Sequence, residues 1–452
     1  MKETKILKIK LPVPVKAILD ILKAFGFEAY AVGGCIRDSI LKRRPDDWDI
    51  TTSARPEQVK KIFNRTVDTG ITHGTVTVLV GSKAHEVTTY RIEGKYRDAR
   101  HPEKVTFTDI LAEDLKRRDF TINAIAYNDV DGLVDLYGGM DDLQKKMIRC
   151  VGNPMERFTE DALRILRAVR FSAELSFDID RDTVASIICL APSLEKISAE
   201  RICSELMKLI TSDHPDYLKV AYTVGITKII LPEFDEMMKT PQNNPHHCYT
   251  VGEHTLKSMC AVEADKTLRL TMLFHDIGKP FCHTTDENDI DHFKGHGDLG
   301  MEIAKAVMQR LKLDNSTMRQ VILLVKYHDW RIQPEEKEVR RAVHKVGTEL
   351  FPLLLKVQNA DSLAQSEIYK TLKLQRIIKI FMIYKKIMKA GQCLKLKDLE
   401  ITGGDILSLG GRPGPEVGEL LNAALEEVLN EPDKNNKAYL LDFVKNRISQ
   451  ER

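Results

Sequence analysis

No two of the eight cysteines stand as C-x-x-C: Cys35, Cys150, Cys189, Cys203, Cys248, Cys260, Cys282 and Cys393 are scattered one at a time. That excludes the paired spacing of a zinc knuckle and offers no disulfide framework. Isolated thiols fit a reducing cytosol, so the expected location is cytoplasmic. No window is long and apolar enough to cross a membrane, and the Lys-rich start lacks the apolar core of a signal peptide. Internal repeats and low-complexity segments are missing too. Charge of one sign is not in excess: 68 Lys and Arg face 66 Asp and Glu, a net +2. Bulk charge therefore does not announce a polyanion, and any such partner has to be read from local distribution. The remainder, 43% hydrophobic and 30% charged, describes an ordinary soluble globular protein. Its length suits about three or four domains.

The stretch Tyr30 to Thr52 carries the densest pattern. A short apolar run, Ala29 to Val32, ends at Gly33 and Gly34; an amphipathic piece, Ile36 to Leu41, holds Arg37 and Asp38; Asp47-Trp48-Asp49-Ile50 follows. The order predicts strand, glycine turn, helix, strand. Glycines let backbone N–H groups approach a phosphate at a helix N-terminus. Asp47 and Asp49, two apart on the second strand, would point to one face. A Gly-Gly alone is an ordinary turn, and a D-x-D alone a solvated strand edge. Together they predict a phosphate cradle beside two carboxylates, an oxygen donor set for Mg²⁺, and hence phosphoryl chemistry on a nucleotide.

Residues 12–27 predict a helix leading into this strand, and Pro56 opens another. Residues 69–80 and 85–91 alternate and are β-branched, as in a hairpin. Glu86 there is either a third acid near the metal or a strand-face charge. Residues 92–107 are polar and Gly/Pro-punctuated, a mobile loop by composition. Arg117, Arg118 and Asp119 precede an apolar segment, so they sit at its mouth. Beyond the turn at 137–143 the pattern is helical. Thr159-Glu160-Asp161 predicts a helix start with Thr159 as cap. Asp161, Arg164, Arg167 and Arg170 would line one stripe, either as surface ion pairs or as a base-reading edge followed by phosphate-binding arginines.

The motifs G-G-x-x-R-D with D-x-D, then R-R-D-F-T-x-N-A, then E-D-x-x-R, in this order, resemble the class II tRNA nucleotidyltransferases, the bacterial CCA-adding enzymes. The likeness runs from Ala29 to about Ile210, and E-R-I-C-S-E-L at 200–206 is similar to a later neck motif of that family. The resemblance implies that Gly33, Gly34 and Arg37 bind the triphosphate and that Asp47 and Asp49 hold the metals. It implies that Arg118, with Asp119 and Asn123 nearby, contacts phosphate and ribose, that Asp161 and Arg164 read the base, and that Arg167 and Arg170 support the nucleotide. A carboxylate beside a guanidinium complements the amino group and ring nitrogen that cytosine and adenine share. Guanine and uracil would set carbonyl oxygens against the carboxylate and leave polar groups unpaired, at about 1–3 kcal/mol each. One protein pair can thus accept CTP and ATP without a template. The 92–107 loop argues against a CC-only enzyme, since by family resemblance those lack a loop element that A addition needs.

A second pattern begins near residue 246. His254, His275-Asp276, His296, His328 and Asp361 recur on predicted helices, and imidazoles with carboxylates suit a divalent metal. The order His254, His275-Asp276, Asp361 resembles the HD phosphohydrolase superfamily, with His296 and His328 where its binuclear members carry two further ligands. This implies metal-assisted hydrolysis of a phosphomonoester or a cyclic phosphodiester. From Glu367 to Lys397 there are nine Lys or Arg and one acid, a basic amphipathic helix suited to a polyanion. Residues 402–418 read as two Gly-rich turns around a short apolar piece, and the region resembles the RNA-binding tail of HD-bearing CCA-adding enzymes.

The expected fold is an α/β nucleotidyltransferase head with a small mixed sheet, followed by all-α neck, HD and tail domains, with boundaries at 1–150, 151–240, 241–365 and 366–452. The expected reaction is attack by the tRNA 3′-hydroxyl on the α-phosphate of CTP, twice, and then of ATP, with Mg²⁺ as cofactor and a second divalent metal at the HD site; no membrane partner is expected. Three alternatives stay open. A poly(A) polymerase shares the head motifs, and a partial enzyme would add only CC or only A. The third is a phosphohydrolase with a degenerate transferase head, or a guanosine-tetraphosphate-type bifunctional enzyme, although there the hydrolase unit comes first.

Overall fold

A computed structural model describes residues 8–94, 105–243, 249–365 and 367–450. Its contacts divide into two units, Met1–Pro232 and Glu233–Arg452. The first unit is built around β1 (Ala29–Val32), whose four side chains are all buried. An apolar strand with no solvated face belongs in the middle of a sheet. β1 is accordingly flanked by β2 (Asp49–Thr52) and by the strand Ile125–Asn128. The sheet has seven strands. Thr66–Gly70, Thr75–Val80 and Lys83–Thr89 continue it on the β2 side, and Gly132–Asp135 closes the other edge. Thr75–Val80 and Lys83–Thr89 form the expected antiparallel hairpin, while Lys83–Thr89 pairs parallel to β2. The sheet is therefore mixed, as expected.

Between β1 and β2 the chain turns at Gly33 and makes the helix α1 (Gly34–Ile40). Register then does the positioning. Val32, the last residue before the turn, lies opposite Asp49. The parallel register pairs Ile50 with Val87, so Asp49 and Glu86 each stand one residue before that pair on neighbouring strands. The expectation that both acids lie on the second strand is corrected: β2 begins at Asp49, and Asp47 lies in the segment leading into it. Arg91–Glu93 pairs with Val105–Phe107, so the ends of the expected 92–107 loop are strands. Its middle, 95–104, lies outside the described residues.

The helical part of this unit starts earlier than the sequence suggested. Asn153 caps Pro154–Glu160, accepting from the Met155 amide. The chain then breaks at Asp161, whose extended backbone (φ −138°, ψ 103°) ends that helix. Asp161 Oδ1 accepts from the amide of Leu163 at 3.1 Å, at the start of Leu163–Leu175. Thr159 is thus inside a helix, its hydroxyl donating to the Met155 carbonyl, and is not a cap. An Asn-Pro pair six residues upstream supplied the stronger start signal.

The second unit is almost wholly helical. Side-chain caps mark several starts: Thr250 for Val251–Cys260, Asp265 for Lys266–Phe274 and Asp314 for Asn315–Tyr327. Each such cap typically contributes about 1 kcal/mol. Leu324, Val343, Phe351, Ile380, Leu425 and Val444 belong to one buried cluster that ties its later helices together. Gly403 and Gly404 open a short helix, Gly403–Ser408, under a Thr402/Asp405 capping box, which corrects their reading as a turn. Only the later glycines of that stretch, Gly410 and Gly414, hold positive φ. Among the described residues no helix is long and apolar enough to cross a membrane.

Candidate active site and metal centre

In the first unit the site grows from the Gly33 turn. Gly33 has φ +83°, and a Cβ there would stand 3.1 Å from Nη1 of Arg118. The residue is therefore glycine for two reasons, backbone conformation and the close approach of a guanidinium. Arg118 is steered by Asp114, which is fully buried. Asp114 Oδ2 accepts from Thr51 at 3.0 Å and from Arg118 at 3.4 Å, and its Oδ1 accepts from Arg117 at 2.9 Å. Burial works to raise this carboxyl, but Arg117 and Arg118 outweigh it and hold it below the usual range. Thr51 lies two residues beyond Asp49 on β2, so one buried acid links the strand of the candidate metal acids to the arginine over the turn.

Asp47 and Asp49 both keep solvent contact. Protein crowded around the Asp49 carboxyl pushes it above its ordinary value; Arg118 opposes this and Asp47 adds to it. Arg118 outweighs the repulsion from Asp47 but not the cost of crowding, so the ionised carboxyl is under-compensated and gains from a cation. The donors are all oxygen, which fits Mg²⁺. Cys35, beside Asp49, is pushed up to about 12 by burial and by that acid, so its thiol stays protonated.

From the turn a polar chain runs inward. Arg37 Nη1 donates to Asn123 Oδ1 at 2.8 Å, and Asn123 Nδ2 donates to Asp119 Oδ1 at 3.1 Å. Arg167 donates to Asp119 Oδ2 through Nε at 2.9 Å and Nη2 at 2.5 Å. Burial acts to raise Asp119, but Arg167, these hydrogen bonds and Arg164 hold it far below the carboxylate range. Arg170 lies 3.8 Å from the centre of the Phe171 ring and 2.7 Å from the buried carboxylate of Glu205. Arg37, Asn123, Asp119, Arg167 and Arg170 are thus assembled along one network.

The expected Asp161–Arg164 edge is not joined side chain to side chain. Asp161 pairs with Arg201 at 2.9 Å, and Arg164 pairs with Glu160 at 2.8 Å while donating to the Arg117 carbonyl at 3.0 Å. The reason is the helix break: the three-residue spacing aligns side chains only on a continuous helix. Sequence reasoning missed Asp114, Arg201 and Glu205. The last two stand in E-R-I-C-S-E-L, a motif noticed but given no residue roles.

The second unit gathers all six of the other expected ligands. His254 ends one contact chain, with Nε2 at 2.9 Å from Asp361 Oδ1 and 3.7 Å from Asp276 Oδ2. His275 Nε2 is 3.3 Å from the same Asp276 oxygen. The other oxygen of Asp276 faces His328 Nε2 at 3.5 Å and His296 Nε2 at 3.7 Å. Asp276 therefore stands between two groups of candidate ligands, His254/His275 and His296/His328. Nδ1 of His275, His296 and His328 lies 2.7, 2.8 and 2.7 Å from the carbonyls of Met272, Phe293 and Val325. Donation to those carbonyls fixes the tautomer and turns each Nε2 lone pair inward. Nε2 of His296 and Nε2 of His328 lie within hydrogen-bond distance of one another at 3.1 Å, and among the described residues the buried Nε2 of His275 has no hydrogen-bond partner. Imidazole nitrogens gathered around a carboxylate in this way are a donor set that fits a divalent metal.

Packing explains how these ligands meet. A Cβ on Gly278 would stand 2.4 Å from the His296 carbonyl, so glycine alone lets the His275-Asp276 turn touch the start of His296–Arg310. Lys279 is buried, 2.7 Å from Asp276 Oδ2 and donating to Gln242 at 2.8 Å. Burial acts against the charge on Asp276, while His275 and Lys279 beside it hold that carboxyl well below the usual range. The role of Lys279 escaped the sequence reading, although it sits in H-D-I-G-K.

Comparison with known proteins gives the context. A family model described as the poly A polymerase head domain matches residues 29–149. Models described as an RNA and SrmB-binding site of polymerase A and as tRNA nucleotidyltransferase domain 2 match 176–238 and 297–444. These three leave uncovered 239–296, where His254, His275, Asp276 and His296 stand. The crystal structure of Bacillus stearothermophilus CCA-adding enzyme in complex with CTP superposes with a TM-score of 0.73 at 28% identity, covering 98% of this chain and 99% of that one. The CCA-adding enzyme of Enterococcus faecalis is 35% identical over 433 residues, 95% of this chain and 94% of its own length. That of Streptococcus suis is 34% identical over 435 residues, 96% of each. With identity of this degree running along nearly the whole of both sequences, the chain belongs to the family of CCA-adding enzymes.

Proposed function

We propose that this chain rebuilds the CCA end of tRNA from CTP and ATP, the 3′-hydroxyl of the RNA attacking the α-phosphate while pyrophosphate leaves. The observation that carries this reading is the meeting of Asp49, Asp47 and Arg118 at the Gly33 turn. Asp47 and Asp49 would hold Mg²⁺, with Glu86 as a third carboxylate. When bound, Mg²⁺ supplies neutralisation of phosphate charge and a lowered pKa for the attacking hydroxyl. Gly33, Gly34 and Arg118 would face the triphosphate, with Arg37 and Asn123 behind them. Asp161 and Arg164 would read the base edge, exchanging partners with Arg201 and Glu160 as the nucleotide enters; Asp119, Arg167 and Arg170 would brace that side. We assign catalysis to 1–150, base reading to 151–240, and RNA contact to 366–452 with its basic helix. The test is direct: tRNA ending before CCA is incubated with each nucleoside triphosphate singly and combined, and the ends are sequenced. CCA from CTP plus ATP upholds the reading; oligo(A) tails without CTP use would assign a poly(A) polymerase, and CC or A alone a partial enzyme.

A second activity is favoured by one specific observation, the inward-facing imidazoles around Asp276. Residues 241–365 would form a metal-dependent phosphohydrolase of the HD type. His254, His275, Asp276, His296, His328 and Asp361 would hold one or two divalent ions, which supply a lowered pKa for water and charge neutralisation. The phosphoester P–O bond breaks as the oxygen of water bonds to phosphorus, and one proton passes to the leaving hydroxyl. His254→Ala should abolish phosphatase activity and leave nucleotide addition intact; loss of both would reduce this unit to a scaffold.

A further inference from the structure

The metal centre opens into a cleft of about 970 Å³. That lies at the upper end of the roughly 300–1,000 Å³ typical of small-ligand pockets, far more than one phosphate needs. Its cations fall into two kinds. Lys279 and Lys326 are neutralised locally, by Asp276 at 2.7 Å and Asp298 at 3.0 Å. Lys294, Arg331, Lys373 and Arg376 are not: among the described side chains no carboxylate lies within ion-pair distance of any of them, and of these four Lys373 and Arg376 stand one turn apart on the helix Glu367–Lys389. Lys373 bonds instead to the neutral amide oxygen of Gln365, whose Nε2 donates to Asp361 Oδ2 at 2.9 Å. Arg376 keeps a buried Nε with no hydrogen-bond partner among the described residues. Burial acts against the charge on Lys373; Asp361 and Asp329 attract it from beyond ion-pair distance, and Arg331 and Arg376 repel it. Two half-buried like charges three residues apart oppose one another on a helix. An anion seated between them, paired to an ammonium and a planar guanidinium, would remove that repulsion with strong charge-assisted bonds.

We infer that Lys373 and Arg376 bind a second phosphate of the substrate, so this centre takes a nucleotide or an RNA end that carries a phosphate beyond the one hydrolysed. This rests on the phosphohydrolase reading above. The metal ligands address one phosphate and the helix pair addresses another, with Gln365 bridging Lys373 to Asp361 and the rest of the cleft open to the remainder of the substrate. The shared chemistry admits two sources, a free nucleoside bisphosphate and an oligonucleotide with a terminal phosphate.

The full-length protein, loaded with Mn²⁺, is given adenosine 3′-monophosphate, adenosine 3′,5′-bisphosphate and a triadenylate ending in a 3′-phosphate. Phosphate release and equilibrium binding are both measured. The wild type should show kcat/KM at least about tenfold higher for the two multiply charged substrates than for the monophosphate. Lys373→Gln and Arg376→Gln, checked for metal content and melting temperature, should each pull that ratio towards one. Preference for the triadenylate assigns an RNA end, and preference for the bisphosphate a free nucleotide. A wild-type ratio near one, or a ratio that neither variant moves, overturns the proposal. Absence of hydrolysis with Mn²⁺, and with Mg²⁺, Ni²⁺ or Co²⁺ in its place, sinks the phosphohydrolase reading instead. The anion pair is then judged by binding: an affinity for the bisphosphate that falls about tenfold in either variant retains it, and equal affinities reject it.

Discussion

The two candidate centres solve the same electrostatic problem in opposite ways. In the head, the acids proposed to hold a cation are solvent-exposed, and the arginines proposed to hold a nucleotide are already occupied by Asp38, Asn123, Asp119, Glu160 and Glu205. In the second unit the ligands are mostly buried, and backbone carbonyls lock three imidazoles with their lone pairs converging. A site that must accept C, then C, then A needs polar groups that can exchange partners, and internal pairing keeps them satisfied between substrates. A site that grips one ion through many turnovers gains more from ligands fixed in advance. The head should therefore acquire its cation with the nucleotide, and the second centre should retain its own.

Removing one acid from the head tests this contrast most severely. Asp49→Asn should lower nucleotide addition by about 10³-fold, the scale of losing one preorganised electrostatic group, while the metal content of the purified protein stays as in the wild type. Loss of bound metal in that variant would place the retained ion in the head and break the comparison. The converse experiment acts on the second centre. His275→Ala, or prolonged chelation, should empty it and lower the melting temperature. Release of an ion held at 100 times its dissociation constant forfeits about 2.7 kcal/mol. A melting temperature and metal content that ignore both treatments would deny a bound metal there.

How far these centres were legible in the sequence follows from the same difference. The cluster of the second unit was legible as a cluster: all six residues named from the sequence converge, and their role as metal ligands is what the proposal adds. Gly33, Gly34, Asp47 and Asp49 were equally readable, since packing alone seldom requires a turn without Cβ followed so soon by a D-x-D. The base-reading edge was misread in geometry. A 3.6-residue period assumes an unbroken helix, and nothing local in T-E-D-A-L-R says that Asp161 leaves it. Asp114 stayed hidden for a different reason: an acid next to Glu113 before K-R-R looks like a solvated charge, and only tertiary packing buries it under Thr51. In the fold, the strands with alternating or wholly apolar runs were found, whereas the first strand of the sheet, Thr66–Gly70, is short and exposed and gave no signal.

A smaller effect sharpens the idea of exchangeable pairing. Asp161→Ala should leave addition of C and A measurable but relax the exclusion of GTP and UTP by about 10- to 100-fold, as expected for one or two polar contacts of about 1–3 kcal/mol. Primer extension with each nucleotide reads this. Arg201→Ala should act the same way but more weakly, because Arg201 holds Asp161 without facing the base. Unchanged exclusion in both variants would remove Asp161 from base reading and leave it as a structural cap.

The subtlest difference concerns stability, and its sign separates an acid kept for function from an acid kept for the fold. Asp49 is raised above its ordinary value. Between the unfolded carboxylate range and that raised value, the folded protein holds a proton that the unfolded chain has released. Stability therefore falls as pH rises through this window, and ionised Asp49 is a standing destabilisation at neutral pH. Asp119 is lowered, so its contribution is present above the unfolded carboxylate pKa of about 3.9 and is lost as pH falls through the folded value. In EDTA at pH 7, Asp49→Asn should raise the melting temperature slightly and Asp119→Asn should lower it. Near pH 3 the first difference should vanish. Two shifts of the same sign at pH 7 would mean that the crowding around Asp49 is offset by contacts its carboxylate makes, and that the head is as preorganised for its cation as the second centre.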